Sequence, residues 1–213
     1  MPNIPEKKSR KRVLIVDYGM GNAGSVKNAL DALSVENFLS SDPKDLAKAS
    51  HIILPGVGAF DQCMKNLKKL GFVTALKKAV VGEGKPFLGI CLGMQILAEL
   101  GEEGGKTKGL GWIKGVTRRF TVDPKKYRLP HVGWNDVEVL GRSELFKGIN
   151  HPIFYFVHSF HFAPADKKMI IGASEYGERF AAAVESKNIF GVQFHPEKSQ
   201  HEGLKLIENF LTK

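Results

Sequence analysis

The chain contains the stretch Lys85-Pro86-Phe87-Leu88-Gly89-Ile90-Cys91-Leu92-Gly93-Met94-Gln95, which places a cysteine between two glycines directly after an apolar run. This pattern predicts a buried strand over residues 87–90, a sharp turn at Cys91 and a helix over residues 92–100. In hydrolases with Gly-x-Ser-x-Gly, small neighbours let the nucleophile stand strained and exposed above the sheet. A thiol takes that place here, and the dipole of the following helix favours its nucleophilic thiolate form. From this stretch alone, a buried structural cysteine beside a turn remains the alternative interpretation.

Strands and helices alternate through the first half of the chain. Apolar runs predict strands over residues 13–17, 35–39 and 51–54, and amphipathic patterns predict helices over residues 25–33, 59–70 and 72–81. This alternation indicates βαβ units and a mostly parallel sheet. The second half instead contains short strand-like segments, followed by a closing helix over residues 203–211; the segments are residues 112–120, 135–140, 153–157, 169–174, 180–185 and 189–194. We therefore expect an α/β fold with a mixed sheet, in one domain over residues 13–213.

Composition restricts the class of protein. The chain has 213 residues, of which 43% are hydrophobic and 25% charged, as in ordinary globular proteins. No apolar stretch approaches the roughly 18 residues of a membrane-spanning helix, and the basic N-terminus has no apolar segment typical of a secretory signal. Two cysteines are too few for a disulfide framework and fit no metal-ligand spacing. We therefore expect a cytoplasmic protein without a metal or cofactor.

The net charge of +9 raises the question of a nucleic-acid partner. Five of the 31 basic residues lie within the first twelve positions, and the others are dispersed along the chain. No run interleaves basic and aromatic residues as a single-strand binder would. We interpret residues 1–12 as a flexible basic extension, and we expect neither nucleic acid nor a membrane as a partner.

A histidine that could serve the cysteine follows the strand-like segment near the C-terminus. His195 and Glu197 flank Pro196, so in an extended chain both side chains project to the same side. A carboxylate beside the imidazole can fix its tautomer and stabilise the imidazolium. A surface turn that ends a strand is the alternative.

A third candidate segment is the glycine-rich loop over residues 55–58. Backbone N–H groups of Val57 or Gly58 can be aimed at a developing oxyanion, alongside the N–H of Leu92. Ligands of open α/β sheets bind at the carboxyl ends of strands. Because all three segments follow predicted strands, one crevice can hold them.

Together, the three segments resemble the class I glutamine amidotransferase family, which uses a Cys-His-Glu triad. The resemblance covers nearly the whole chain from Arg12 onward. It implies a three-layer fold with a mostly parallel central sheet flanked by helices. It also implies hydrolysis of L-glutamine to glutamate and ammonia through a glutamyl thioester, with Cys91, His195 and Glu197 as the triad.

Four further segments resemble the branch of this family that serves histidine biosynthesis: residues 17–22, 129–135, 155–159 and 195–199. In that branch the ammonia passes to a (βα)8-barrel cyclase, so the resemblance implies a heterodimer. It assigns glutamine recognition to Gln95, His158, Ser159 and Phe160, and the partner interface to Trp134, Asn135, Tyr155 and Lys198. Two departures are small: the basic extension is longer than expected, and Phe160 stands where a tyrosine is common.

Three alternatives stay open from the sequence. A paralogous amidotransferase subunit could feed ammonia to a different synthase, and the segments quoted above discriminate poorly against it. A catalytically silent scaffold of the same fold is a second alternative, although an intact Cys91, His195 and Glu197 argue against it. A cysteine peptidase on a related α/β fold is the third.

Overall fold

The computed structural model describes residues 11–213. Its strands are β1 (Arg12–Val16), β2 (Glu36–Ser40), β3 (His51–Gly56), β4 (Phe87–Cys91), β5 (Leu100–Gly101), β6 (Thr107–Lys108), β7 (Gly115–Arg119), β8 (His131–Asp136), β9 (Glu138–Val139), β10 (Ile153–His158), β11 (Phe160–Pro164), β12 (Ile170–Glu175), β13 (Arg179–Ser186) and β14 (Ile189–Val192). Its α-helices are α1 (Ala23–Ala32), α2 (Phe60–Lys69), α3 (Phe72–Leu76), α4 (Leu92–Gln95) and α5 (Gln200–Phe210). Shorter helical segments are Pro43–Lys48, Lys77–Gly82, Glu144–Phe146, Lys167–Met169 and Pro196–Lys198. Most of the predicted basic extension, residues 1–10, lies outside the described residues, and Arg12 already begins β1.

The central sheet has eight strands in the order β2-β1-β3-β4-β14-β13-β12-β9. The pairs from β2 to β14 are parallel, whereas β13, β12 and β9 add antiparallel pairs. Both β3 and β4 are buried along their whole length, as expected of strands covered on both faces. The predicted mixed, mostly parallel sheet is therefore confirmed, with its antiparallel part built from the second half of the chain.

Two separate hydrophobic clusters lie on opposite faces of this sheet. Along β1, Val13 and Ile15 pack with α1 and α5, whereas Leu14 and Val16 pack with α2 and α3. Successive side chains of a strand point to opposite faces, so one continuous apolar run supplies both clusters. The predicted three-layer arrangement is confirmed. Within residues 11–213, no helix is both long enough and apolar enough to cross a membrane.

The helix after the cysteine is shorter than the sequence predicted. It was expected to reach residue 100, but α4 ends after one turn because tertiary partners take the carbonyls that would continue it. The N–H of Leu110 donates to the carbonyl of Ile96 at 2.7 Å, and that of Trp112 donates to Leu97 at 3.0 Å. The loop that returns past α4 therefore replaces its second turn.

Two smaller sheets complete the fold. The pair β8–β10 is antiparallel, and β11, β7, β5 and β6 form a four-stranded sheet. The sequence predicted β8 to start at residue 135, but it starts at His131, and β11 was not predicted. The strand alternation of β8 and β10 places Trp134 and Tyr155 on one face, opposite each other, and His131 and His158 on the other.

Candidate active site

Cys91 lies at a strained turn between β4 and α4. Its φ of 55° and ψ of −107° lie in a region that residues other than glycine rarely adopt. The flanking glycines allow the turn by close packing. A Cβ on Gly89 would overlap the carbonyl oxygen of Gly93, and a Cβ on Gly93 would overlap that of Leu54. The strained turn predicted from Gly-x-Cys-x-Gly is therefore present, and α4 begins directly after Cys91. The predicted exposure was wrong: Cys91 is only 5% exposed, because the surrounding segments pack over it.

His195 and Glu197 form a buried pair behind this turn. The distance from His195 Nδ1 to Glu197 Oε1 is 2.8 Å, and the two side chains are 1% and 0% exposed. The predicted extended backbone was wrong: Pro196–Lys198 is a 3-10 turn, in which the Lys198 N–H donates to the His195 carbonyl. Proline suits the first position of such a turn because its φ is already helical. This turn, and not an extended chain, places the Glu197 carboxylate beside the His195 ring.

The charges around His195 favour its protonated form. Burial opposes the imidazolium, but the Cys91 sulfur and then the Glu197 carboxylate outweigh burial and raise the pKa of His195 from 6.5 to about 10. Its Nε2 is buried and makes no hydrogen bond among residues 11–213, so this nitrogen is left for the sulfur. The arrangement therefore favours an imidazolium beside the Cys91 sulfur.

A cleft of about 400 Å³ opens in front of Cys91. Its lining includes all seven residues that the sequence proposed for the oxyanion and for substrate: Val57, Gly58, Leu92, Gln95, His158, Ser159 and Phe160. Gly58 has a φ of +102°, which suits glycine. The structure thus brings the end of the loop over residues 55–58 and the start of β11 into the cleft that contains Cys91.

The side-chain amide of Gln95 donates to two acceptors within the protein. Its Nε2 donates to the carbonyl of Phe160 at 2.8 Å and to Gln193 Oε1 at 3.2 Å. The Nε2 of Gln193 in turn donates to Cys91 Sγ at 3.6 Å. Both amide hydrogens of Gln95 are therefore used within the protein, which leaves its Oε1 for a ligand in the cleft.

Two buried histidines lie behind the Phe160 carbonyl. His158 Nδ1 is 2.9 Å from that oxygen, and His158 Nε2 is 3.2 Å from His131 Nδ1. Burial lowers the pKa of His158 to about 3 and that of His131 to about 4, so both rings are neutral at neutral pH.

These two histidines predict a loss of stability in mild acid. The unfolded chain takes up protons on both rings as the pH falls below 6.5, whereas the folded chain resists until about pH 4 and about pH 3. Their contribution is therefore complete above pH 6.5 and declines as the pH falls towards those values, by up to about 1.4 kcal/mol per pH unit for each ring. Urea unfolding between about pH 7 and about pH 5 checks this. We expect a shallower pH dependence in His131→Phe; an unchanged dependence contradicts the prediction.

Sequence reasoning missed three polar groups at the site. Glu103 lines the cleft, and its Oε2 accepts from the N–H of Phe60 at the start of α2. Asn22 donates to Glu197 Oε1 at 3.4 Å. Gln193 contacts the sulfur, as described above. Asn22 follows β1 and lies at the same sheet edge as Cys91, so the strand-end rule was a usable signal for it. A glutamate in a glycine-rich loop carries no such signal.

The two predicted interface residues on β8, Trp134 and Asn135, lie on opposite faces of that strand. Trp134 is 49% exposed, so it is not a core residue. Its ring centroid is 6.2 Å from that of Tyr155, and Lys198 Nζ lies 5.8 Å above the Tyr155 ring. The side chain of Asn135 turns inward and donates to the carbonyl of Glu175. Trp134, Tyr155 and Lys198 are thus brought together, and Asn135 is not.

Comparisons with known proteins identify the family of the chain. The family model for glutamine amidotransferase class-I matches residues 14–213. The chain is 48% identical to the imidazole glycerol phosphate synthase subunit HisH 1 of Campylobacter jejuni subsp. jejuni, over 93% of this chain and 98% of that protein. It is 47% identical to subunit HisH 2 of Methanococcus maripaludis, with the same coverage of both chains.

Solved structures agree on the fold. The structure of PurLQS from Thermotoga maritima matches 95% of this chain and 98% of its own with a TM-score of 0.74, at 20% identity. At that identity the likeness concerns the fold alone. The family model spans Cys91, His195, Glu197, the cleft and β8, and the two relatives cover 93% of the chain. The chain therefore belongs to the class-I glutamine amidotransferase family.

Proposed function

We propose that the chain is the glutaminase subunit of an imidazole glycerol phosphate synthase. It hydrolyses L-glutamine to glutamate and ammonia, and a second subunit consumes the ammonia. The observation that carries this proposal is the buried His195–Glu197 pair behind Cys91, which opens on a cleft of amino-acid size. The relatives that share nearly the full length of the chain support the choice of synthase.

The first half of the reaction forms a thioester. The Cys91 thiolate attacks the side-chain carboxamide carbon of glutamine, and the oxyanion accepts hydrogen bonds from the N–H of Leu92 and of Val57 or Gly58. The N–H of Leu92 is free for this because the first N–H groups of a helix have no intrahelical partner. His195 gives its proton to the departing nitrogen, so ammonia leaves as the tetrahedral intermediate collapses.

The second half restores the enzyme. Neutral His195 accepts a proton from water as the water attacks the thioester carbon, and the Cys91 thiolate is expelled as glutamate forms. His195 ends protonated, as it began. Glu197 holds Nδ1–H throughout, which keeps Nε2 facing the reacting atoms and stabilises the imidazolium.

Recognition of the glutamine backbone falls to the far side of the cleft. The α-ammonium group fits the Gln95 Oε1 and the Glu103 carboxylate, both of which line the cleft. The α-carboxylate fits backbone N–H groups in the segment from His158 to Phe160. Only the backbone of Phe160 is required, so its departure from tyrosine leaves recognition intact.

Ammonia must be passed on before it is protonated in water, which calls for a docked partner. We propose a (βα)8-barrel cyclase, which uses the ammonia to form imidazole glycerol phosphate and AICAR. The docking surface is the outer face of β8 and β10, where Val132, Trp134 and Ile153 are 56%, 49% and 41% exposed. Exposed apolar patches on a folded protein commonly mark interaction sites. Tyr155 and Lys198 lie on the same face.

We also propose a cytoplasmic location, because Cys63 and Cys91 are both free thiols.

Trp134 predicts a loss of partner affinity. Its ring is the largest exposed apolar group of the outer face, and tryptophan is the commonest interface anchor. We expect Trp134→Ala to weaken binding of the barrel subunit by about 2 kcal/mol, or roughly thirtyfold. Isothermal titration measures this. Val81→Ala, which removes an exposed apolar side chain elsewhere, is the control and leaves affinity unchanged. Equal affinity for both variants contradicts the assigned surface.

Glutamate release tests the function itself. We expect release from L-glutamine when the chain is mixed with the barrel cyclase subunit and that subunit's ribulosyl nucleotide substrate. Release that is absent in every combination favours the silent-scaffold alternative. Cleavage of peptides without glutamine hydrolysis favours the peptidase.

A further inference from the structure

The hydrogen bonds from β8 to the Phe160 carbonyl form a chain with a single direction, and Gln95 donates to the same carbonyl. The Phe160 carbonyl can only accept, so His158 Nδ1 must carry a hydrogen. Neutral His158 then has a bare Nε2, which accepts from His131 Nδ1–H. Neutral His131 in turn has a bare Nε2, which is 3.4 Å from the Asn135 amide nitrogen. The Phe160 carbonyl, which also accepts from Gln95, thus fixes the tautomers of both His158 and His131.

The outer end of this chain lies on the strand that carries the proposed docking surface. Trp134 and Asn135 are neighbours on β8, and their side chains point to opposite faces. The Asn135 amide is shared between His131 and the carbonyl of Glu175, at the end of β12. A shift of β8 beneath Trp134 therefore moves the Asn135 amide, which is the outermost donor of this chain of hydrogen bonds.

The ring of His131 has little freedom to leave this chain. It is stacked on Tyr176, with centroids 4.1 Å apart, and on Phe156, with centroids 5.0 Å apart. His131 and His158 are 3% and 5% exposed, so no bulk water replaces a lost partner. Disturbing one link leaves a buried polar atom unpaired, which is costly.

We propose that His131 and His158 are positioning residues that couple the docking face of β8 to recognition of glutamine by Gln95. The proposal rests on the proposed function and adds the route by which partner binding reaches the substrate. Each neutral histidine has two tautomers, so the chain allows two arrangements of its hydrogens. In the observed one, His158 donates to Phe160 and the carbonyl is held for Gln95. With the tautomers reversed, a bare Nδ1 faces the carbonyl oxygen and repels it, and Gln95 loses its support. Partner contact at Trp134 favours the observed arrangement through Asn135.

Steady-state kinetics of glutamate release with the barrel subunit bound tests the positioning role. His131→Phe keeps an aromatic ring in the stack but removes both nitrogens. We expect the KM for L-glutamine to rise about tenfold, the value of roughly one buried hydrogen bond, while kcat stays within about twofold. His161→Phe is the matched control: His161 is equally buried and packs on Phe120 in the same aromatic cluster, but it is not part of the chain. We expect its KM to be unchanged.

Asn135→Ala tests the coupling separately. It removes the outer donor and leaves the two histidines in place. We expect stimulation of glutamate release by a saturating concentration of the barrel subunit to fall severalfold, with the affinity for that subunit measured in parallel. An unchanged KM in His131→Phe, an equal rise in His161→Phe, or full stimulation in Asn135→Ala overturns the proposal. Absence of glutamate release from the unmutated complex instead overturns the proposed function. If His131→Phe does not fold, as thermal unfolding will show, Asn135→Ala still decides.

Discussion

Replacement of Cys91 by alanine lowers kcat for glutamine hydrolysis by about a millionfold, the scale seen when a nucleophile that acts within a triad is removed. No other described group can take over the attack. The remaining cysteine, Cys63, is fully buried in the core cluster around α2. Burial raises the pKa of the Cys63 thiol to about 12, so it is neither accessible nor ionised. Glutamate release by the complex is the measurement.

The control for this variant is Cys63→Ala. It removes the same chemical group from the apolar core, so it lowers the free energy of unfolding by about 1 to 2 kcal/mol and leaves kcat within a few-fold. Residual hydrolysis by Cys91→Ala within a hundredfold of the unmutated protein contradicts the role of the thiol.

Replacement of Glu197 by glutamine lowers kcat by about ten-thousandfold, although it removes no reacting atom. The side-chain amide nitrogen introduced at position 197 can donate to His195 Nδ1, which places the ring hydrogen on Nε2. An Nε2 that already carries this hydrogen cannot accept a proton from water. Loss of the carboxylate also removes one of the two groups that raise the pKa of His195, so the imidazolium becomes less stable.

Glu208→Gln provides the matched control for Glu197→Gln. Glu208 is an exposed carboxylate on α5 that pairs with Lys205, and its replacement leaves kcat unchanged. The pH dependence of kcat for both variants separates the tautomer effect from an effect on folding. A Glu197→Gln enzyme within tenfold of the unmutated rate contradicts the orienting role.

The sequence was most informative where the site depends on neighbours along the chain. The turn at Cys91 follows from glycines two residues on either side, and the contact between His195 and Glu197 follows from their separation by a single proline. Even there the backbone was predicted wrongly, because a 3-10 turn and an extended chain both bring residues two apart within reach. The backbone hydrogen bonds from Lys198 to His195 and from Ser199 to Pro196 distinguish the two.

Features set by distant parts of the chain were not predictable. The length of α4 is decided by a loop that returns to its carbonyls, which local helix propensity does not represent. The pairing of His131 with His158 depends on the register of β8 against β10, across 27 positions of sequence. Glu103 is held at the cleft because its carboxylate accepts a hydrogen bond from the N–H of Phe60, at the start of α2. In each case the deciding partner lies on another element.

Mass spectrometry after reaction with 6-diazo-5-oxo-L-norleucine, a diazoketone analogue of glutamine, tests most directly whether Cys91 is the nucleophile that attacks glutamine. The analogue is incubated with the complex of this chain and the barrel cyclase subunit, and the digested chain is searched for the adduct. We expect one adduct, on Cys91, that excess L-glutamine prevents and that Glu197→Gln forms far more slowly. An adduct on Cys63, or an unlabelled Cys91 in a complex that still releases glutamate, would contradict it.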